Sequence, residues 1–267
     1  MKPLIPILGF AFLCCLFACS NQDPKADSER FADAIDTMNV IQKKISPKGT
    51  IAAAAQKRFI YAPSGLNLRK GPTTDDEKIQ TIPYGSEIEL LDCPGKAILT
   101  IDGLKGKMCK VRFQGQEGYT FTGYLSQFPA PDPEMEVKAF VQKIKEKGLN
   151  SEYKKERFDE DGYIQDTEGF QLPTEDWQEA FLIAKTYFGI PDKIKYPSDA
   201  VGEETVVKNP DKEEYIWSDE LMIHREADGK TIKDIYYYYR GEGGGKTVVI
   251  EKAESGGLTI LEVLIAD

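Results

Sequence analysis

The side chains that could carry out acid–base or nucleophilic chemistry are scattered along this sequence rather than grouped. His224 is the only histidine, so it cannot build a metal site that needs several imidazoles. No Gly-x-Ser-x-Gly pattern provides an activated serine that His224 could serve as base. The 44 acidic residues would allow a carboxylate pair for glycoside hydrolysis, but no spacing selects a particular pair. We therefore predict no catalytic residue, no metal and no cofactor, and a protein that is not an enzyme.

An acidic run between residues 157 and 168 has the spacing of a calcium-binding loop, with a defect at its first position. Five residues match positions 3, 5, 6, 8 and 12 of an EF-hand loop: Asp159, Asp161, Gly162, Ile164 and Glu168. Position 1, which should be a carboxylate, is Arg157. An oxygen ligand is therefore missing, and the guanidinium repels a cation. We expect an acidic surface loop here rather than a calcium site.

A glycine-rich run from Gly241 to Thr247 has the composition of a phosphate-binding loop but is one residue too short. The residues that follow, Val248 to Ile250, favour a strand. Because a phosphate cradle needs the N-terminus of a helix after the loop, this run predicts a flexible hairpin.

The first residues of the chain have the pattern of an export signal. A run from Leu4 to Phe17 is almost wholly apolar and, at 14 residues, is shorter than the roughly 20 residues that span a bilayer. Such a run after a positively charged start is typical of the core of a signal peptide.

The end of this run resembles a bacterial lipobox, because Leu16, Phe17 and Ala18 precede Cys19. The resemblance implies that residues 1–18 are removed and that the Cys19 sulfur accepts a diacylglyceryl group. The acyl chains would then anchor the mature protein to a membrane of the cell envelope. Ser20, where some bacteria use an aspartate for retention in the inner membrane, favours the outer membrane. An ordinary signal peptide with an incidental cysteine is the alternative.

Two of the five cysteines, Cys93 and Cys109, lie far from the N-terminus. In an exported protein an even number of remaining cysteines favours a disulfide. A bridge across a loop of this size would stabilise the fold by about 3 kcal/mol. Two buried free thiols are the alternative.

The net charge of −10 argues against nucleic acid as a partner. A protein that binds a phosphate backbone needs a basic patch, and no run of lysine and arginine supplies one.

The rest of the chain divides by composition into four segments, and the predicted fold class is a multidomain α+β protein. Residues 19–57 are a polar tether in which Phe31, Ala34, Ile35 and Met38 allow one short helix. Residues 58–128 contain short alternating runs between turn residues, which predicts a small barrel or sandwich. Residues 129–133 alternate proline with other residues, which predicts a stiff spacer.

Residues 134–267 are expected to form an α+β domain in which two helices pack on an antiparallel meander. The first helix carries a stripe from Val137 to Ile144 and stops at Gly148. The second is capped by Thr174 and ends before Gly189. The predicted strands are 205–208, 214–217, 221–225, 232–239, 247–252 and 258–265, with turns at 228–229 and 241–245.

Three pieces of the segment 58–128 resemble bacterial SH3 domains in the same order. Gly65 to Pro72 reads Gly-Leu-Asn-Leu-Arg-Lys-Gly-Pro, close to the Leu-Asn-Val-Arg-x-Gly-Pro opening of that family. Ile82 to Leu90 resembles its strand–turn–strand with a fixed glycine, and residues 110–125 resemble its closing strands. Met108 and Tyr119 stand where the family commonly has tryptophan, and residues 96–107 form an insertion.

This resemblance implies an SH3-like β-barrel that binds cell-wall peptides or envelope proteins and does not catalyse a reaction. Six side chains are the candidate exposed ligand-binding residues: Tyr61, Asn67, Arg69, Tyr84, Tyr119 and Tyr124. The alternative is that they merely cover the barrel and satisfy its turns. Two further functions stay open for the whole chain, namely an accessory or enzyme of peptidoglycan turnover with activity in residues 134–267, and a structural assembly factor.

Overall fold

The computed structural model describes residues 56–265, with gaps at 94–96, 133 and 161–162. The predicted signal peptide, Cys19 and the tether up to residue 55 lie outside the described residues. Within the described ranges no helix combines the length and the apolar character needed to cross a membrane. This part of the chain is mostly β, with two helices.

The N-terminal half consists of short strands, as its alternating pattern predicts. Their bounds are β1 (Gln56–Ile60), β2 (Leu66–Arg69), β3 (Lys78–Ile82), β4 (Glu87–Asp92), β5 (Leu99–Ile101), β6 (Leu104–Gly106), β7 (Met108–Phe113), β8 (Gln116–Phe121) and β9 (Leu125–Ser126). Seven of them form one antiparallel sheet in the order β3-β2-β8-β7-β4-β1-β9, and β5 and β6 pair with each other. The edge strands β3 and β9 do not pair, so the prediction of a closed barrel is wrong: this is an open SH3-like sheet.

The alternation of β7 shows how this sheet separates its two faces. Val111 is fully buried and belongs to a cluster with Ile60, Leu68, Ile82 and Ile88. Because successive side chains of a strand point to opposite faces, the residues on either side of Val111 face the other way. Leu68 and Val111 are both fully buried on the inner face.

The predicted disulfide between Cys93 and Cys109 is present, with Cα atoms 4.3 Å apart and a sequence separation of 16. It joins the residue after β4 to the second residue of β7. The loop that it closes contains the insertion, which forms the hairpin of β5 and β6. The disulfide therefore fixes the base of this hairpin to the sheet.

The C-terminal half contains both helices and a second seven-stranded antiparallel sheet. The bounds are α1 (Val137–Glu146), β10 (Glu152–Glu160), β11 (Tyr163–Leu172), α2 (Trp177–Tyr187), β12 (Glu204–Lys208), β13 (Ile216–Arg225), β14 (Ile232–Gly241), β15 (Gly244–Lys252) and β16 (Leu258–Ile265). The strand order is β10-β11-β16-β15-β14-β13-β12. Five consecutive strands thus form the predicted meander, and the hairpin of β10 and β11 extends it at the end formed by β16.

Two predictions about the strands of this half need correction, and a third is confirmed. The acidic run was predicted as a surface loop, but its residues 157–160 and 163–168 belong to β10 and β11, where Arg157 lies opposite Asp166 in the antiparallel register. The two strands predicted at 214–217 and 221–225 are one strand, β13, which continues through a register shift between Ile216 and Ser218. A bulge of this kind interrupts the alternation of inward and outward side chains from which a strand is predicted. The hairpin predicted at the glycine-rich run is confirmed by the pairing of Gly241 with Gly244.

The two helices are amphipathic and pack on the sheet as predicted. Phe140 of α1 is fully buried, and its ring lies 5.1 Å from that of Phe170 on β11. The N-cap of α2 is Asp176 rather than the predicted Thr174. The Asp176 carboxylate accepts hydrogen bonds from the backbone N–H of Gln178 at 2.9 Å and of Glu179 at 3.1 Å.

The two sheets share one hydrophobic core. A single buried cluster contains Phe59 and Phe121 of the first sheet together with Phe181 of α2 and Ile223 of β13. All described residues belong to one compact unit. The halves are therefore packed against each other through apolar contact.

The predicted stiff spacer begins with three residues that pack against the rest of the fold. Pro129, Ala130 and Pro131 are buried. The hydroxyl of Tyr61 donates to the Pro129 carbonyl at 2.9 Å, and the hydroxyl of Tyr84 donates to the Pro131 carbonyl at 2.6 Å. Proline keeps its carbonyl acceptor even though it lacks an N–H, and two tyrosines use these acceptors.

Candidate functional site

A groove lies on the outer face of the first sheet, the face opposite the cluster around Val111. Its volume is about 230 Å³. Its lining residues are Leu66, Asn67, Arg69, Thr74, Ile101, Met108, Phe121 and Tyr124. They come from β2, the turn after it, the β5–β6 hairpin, β7, β8 and the turn that precedes β9.

Strand register explains why these side chains converge. Met108 of β7 lies directly opposite Phe121 of β8, so both side chains point to the outer face. Arg69 of β2 lies opposite Tyr119 of β8. Since Tyr119 and Phe121 are two residues apart on one strand, they share that face. The outer face thus combines two buried apolar side chains with the polar side chains of β2.

The floor of the groove is apolar and its rim is polar. Met108 and Phe121 are 6% and 4% exposed, respectively. Asn67 is half-buried, and its side-chain amide has no hydrogen-bond partner within the described ranges. Its backbone carbonyl, in contrast, accepts a hydrogen bond from the Thr120 hydroxyl at 3.0 Å. The strand is thereby fixed while the amide stays available to a ligand.

Arg69 supplies the positive charge of the rim. One guanidinium nitrogen donates to the Asp76 carbonyl at 2.7 Å, which orients the side chain. A guanidinium has five N–H donors in a planar fork, so further donors remain for a ligand. Such a fork matches the two oxygens of a carboxylate.

The neighbouring charges on this face neutralise one another. Arg112 contacts Glu89 and Glu117 at 2.7 Å each, and Lys110 contacts Glu117 at 2.7 Å. Glu117 is opposite Arg112 in the register of β7 and β8. These ion pairs are exposed and contribute little stability, but they leave Arg69 as the cation that faces the groove itself.

Tyr124 closes one end of the groove and is held by an acidic partner. Its hydroxyl donates to the Asp102 carboxylate at 2.8 Å. Burial, together with this hydrogen bond, raises the pKa of Tyr124 well above its ordinary value. The same hydrogen bond and the Lys195 ammonium hold the pKa of Asp102 below its usual range. Tyr124 is therefore a neutral donor at physiological pH, and its ring forms a fixed wall.

The six residues selected from the sequence separate into two groups. Asn67, Arg69 and Tyr124 line the groove, and Tyr119 lies beside it, opposite Arg69. Tyr61 and Tyr84 do not line the groove, and the prediction that Tyr61 is exposed is wrong because its side chain is fully buried.

Both tyrosines lie at the junction with the proline-rich segment. Tyr61 is fully buried, and Tyr84 is half-buried with its ring 6.3 Å from that of Tyr61. Burial raises the pKa of Tyr84 to about 12. Their hydroxyls donate to the carbonyls of Pro129 and Pro131, so both side chains hold the start of that segment against the first sheet.

The apolar residues of the groove were missed by reasoning from the sequence. The alternating pattern of β7 and β8 is a signal that could have placed Met108 and Phe121 together. Ile101 gave no such signal, because its position depends on how the β5–β6 hairpin folds back over the sheet.

The side chains that line the groove are suited to binding a ligand through apolar contacts and hydrogen bonds. Its lining contains an amide, a guanidinium, two hydroxyls and apolar side chains, and it contains no histidine, lysine or carboxylate. An acid–base pair is therefore missing from this lining.

Comparison with known proteins identifies the segment that carries the groove. Residues 64–126 match the family described as the bacterial SH3 domain. The match extends from just before β2 to the end of β9, so the chain contains a bacterial SH3 domain in this region. No curated protein matches the chain.

Among solved structures, a proposed thioesterase II from Thermobifida fusca YX aligns with 86% of this chain and 84% of that chain. The identity is 11% and the TM-score is 0.16. A score this low carries no argument about fold or activity.

Proposed function

We propose that this protein is a cell-envelope lipoprotein whose SH3 domain binds cell-wall peptides or envelope proteins in the groove, without catalysing a reaction. The observation that carries the proposal is the groove itself. It lies on the domain that matches the bacterial SH3 family, and it brings Asn67, Arg69 and Tyr124 around an apolar floor.

The proposed anchor is the lipidated Cys19. Each buried methylene of an acyl chain contributes about 0.8 kcal/mol, and two or more chains make attachment to a membrane stable. The segment 20–55 would then tether the folded part to the membrane surface. Ser20 favours the outer membrane as the location.

The proposed ligand chemistry follows from the groove. A cell-wall peptide offers amide groups for the Asn67 side chain, a carboxylate for the Arg69 guanidinium and small apolar side chains for the floor. Met108 and Phe121 form the floor, and Met108 stands where the family commonly has the flat ring of a tryptophan. A flexible methionine fills irregular gaps, so this floor suits an aliphatic side chain better than a stacked ring.

A second candidate function is an enzyme or accessory of peptidoglycan turnover, and one observation favours it. Glu168 of β11 and Glu262 of β16 lie directly opposite each other and line a polar cleft of about 560 Å³ with Lys246. Burial raises the pKa of Glu262, and the charge of Glu168 adds to this effect. Hydrolysis of purified peptidoglycan that is lost in Glu262→Gln would favour this candidate over the first.

A third candidate function is a structural assembly factor without a small ligand, and it differs from the first in the binding that it predicts. It predicts capture of envelope proteins and no retention on purified peptidoglycan.

Retention on purified peptidoglycan tests the first candidate through the groove. We expect Tyr119→Ala and Arg69→Met each to weaken binding of the mature protein about tenfold, which corresponds to about 1.4 kcal/mol. The measurement is the protein fraction that sediments with insoluble wall fragments as their concentration is raised.

Circular dichroism of the same variants checks that they keep the fold. The matched control is Tyr215→Ala, because Tyr215 is 59% exposed and lies outside the SH3 domain. Retention of both groove variants at the level of the unmodified protein would contradict the assignment of the groove.

A further inference from the structure

A second cavity lies between the SH3 domain and α2, at the junction of the two halves. Its volume is about 220 Å³. Tyr61 and Tyr124 line it from the SH3 side, Asp102 from the tip of the β5–β6 hairpin, and Lys185 from α2. Tyr124 therefore stands between this cavity and the groove.

The walls of the cavity are largely apolar. Leu104 and Phe181 are 3% and 1% exposed, and Ile194 is fully buried. The Tyr196 ring packs against Phe181 with centroids 5.3 Å apart. These walls exclude water from a large part of the surface of any molecule that enters.

Lys185 brings a positive charge into these apolar surroundings. Its side chain is only 16% exposed. The ammonium donates to the Ile194 carbonyl at 2.8 Å and to the Asp192 carbonyl at 3.2 Å. An ammonium has three donors, and the nearest carboxylate, that of Asp192, is 3.9 Å away, beyond hydrogen-bond distance.

The other charges around the cavity are better satisfied than Lys185. Lys195 is 3.1 Å from Asp102, and Asp102 also accepts the hydrogen bond of Tyr124. Asp192 is 78% exposed and therefore solvated. Burial, the largest effect, and the charge of Lys195 lower the pKa of Lys185 to about 8. A buried cation that has no carboxylate within hydrogen-bond distance gains most from an added anion.

We propose that this cavity binds a small carboxylic acid with an apolar body, with its carboxylate on the Lys185 ammonium. The size of the ligand follows from the volume. A dry cavity of about 150 Å³ accepts benzene, so about 220 Å³ accommodates a molecule of the size of one N-acetylated amino acid. The apolar walls would contact the body of the ligand. The site is separate from the groove and does not depend on its function.

The probe for the test is N-acetylleucine, and its matched uncharged analogue is N-acetylleucinamide. We expect the full-length protein at pH 7 to bind the acid at least tenfold more tightly than the amide, measured by calorimetry or by NMR shifts. In Lys185→Met the affinity for the acid should fall to that for the amide, because methionine keeps an apolar stem without the charge.

The control variant is Lys193→Met, since Lys193 is 62% exposed, pairs with Asp211 at 3.2 Å and is not part of the cavity. It should bind the acid like the unmodified protein. Equal affinity of the unmodified protein for acid and amide, or no binding of either, would overturn the proposal. Undiminished binding of the acid by Lys185→Met would also overturn it and would place the acid elsewhere.

The pH dependence gives an independent readout. The charged groups that face Lys185 are Asp102 on the β5–β6 hairpin and Asp192 and Lys195 after α2, while Tyr61 and Tyr124 have raised pKa values and stay neutral. Affinity for the acid should change little between about pH 5 and pH 7, where the ligand carboxylate is ionised. It should fall as Lys185 deprotonates above pH 8, because a neutral amine does not hold a carboxylate. Constant affinity from pH 6.5 to pH 10 would contradict this role of Lys185.

Discussion

Gly103→Ala is expected to lower the free energy of unfolding by roughly 3 kcal/mol or more. Gly103 lies at the tip of the β5–β6 hairpin with φ +82°, in the left-handed region that favours glycine. A Cβ at this position would lie 2.2 Å from the Tyr196 carbonyl oxygen and 3.2 Å from the Tyr196 nitrogen. Both atoms belong to the backbone, so the hairpin or the segment after α2 has to move.

The chain supplies a matched control at Gly115, the tip of the β7–β8 hairpin. Its φ is +81°, and a Cβ there would meet nothing within 4 Å. Gly115→Ala therefore introduces backbone strain without a steric clash. It is expected to lower the free energy of unfolding by about 1 kcal/mol. Urea denaturation followed by circular dichroism measures both values. Equal losses in the two variants would show that the contact between hairpin and Tyr196 does not contribute.

Gly103→Ala should also affect ligands, because the same hairpin positions side chains in both sites. Ile101 lines the groove, and Asp102 lines the cavity. A displaced hairpin should weaken binding at both, whereas Gly115→Ala should leave both unchanged.

Glu179→Ala is expected to have an effect of similar size, about 3 kcal/mol, because it removes the carboxylate that joins α2 to the end of the SH3 domain. One oxygen of Glu179 accepts from the Ser126 hydroxyl and from the Gln127 backbone N–H, both at 2.8 Å. The other oxygen accepts from the Thr174 hydroxyl at 2.8 Å. Ser126 is 1% exposed. In the variant its hydroxyl would lose the acceptor of its proton, although its oxygen would still accept from the Phe128 N–H.

The control for this prediction is Glu175→Ala, which removes an exposed carboxylate just before α2. Its effect should stay within about 0.5 kcal/mol. Thermal melts of both variants provide the measurement. A Glu179→Ala protein that melts like Glu175→Ala would show that these hydrogen bonds do not hold the junction.

Local patterns in the sequence were sufficient to predict most strands and both helices. The alternation in β16 and the Asp228–Gly229 turn depend on neighbouring residues only, and the structure places strand and turn as expected. The hairpin of β10 and β11 was missed because its acidic residues have no apolar alternation. The bulge in β13 interrupted the pattern of a single long strand.

The packing between the two halves could not be predicted, because it depends on contacts between residues far apart in the chain. Tyr61 meets Pro129 across 68 residues, and Lys105 meets Gln178 across 73 residues. A tyrosine has an apolar ring and a polar hydroxyl, so composition alone does not tell whether it is buried. That ambiguity explains why Tyr61 and Tyr84 were assigned to a ligand surface.

The candidate site was predictable to the extent that it depends on the SH3 family. Asn67 and Arg69 belong to the opening motif, and their outward direction follows from the alternation of β2. The cavity beside Lys185 depends on α2, which lies outside the matched residues 64–126. The contribution of Ile101 depends on how the insertion folds, which the motifs of the family do not determine.

Crosslinking in intact cells tests the central claim, the binding of wall peptides or envelope proteins in the groove, most directly. A photoreactive phenylalanine analogue replaces Ile101 in the groove or, as control, Val201, which is 70% exposed and lies before β12. Mass spectrometry of the full-length protein then identifies the adducts. We predict adducts with wall peptides or envelope proteins from position 101 and none of these from position 201. Identical adducts from both positions, or none from position 101, would contradict the account.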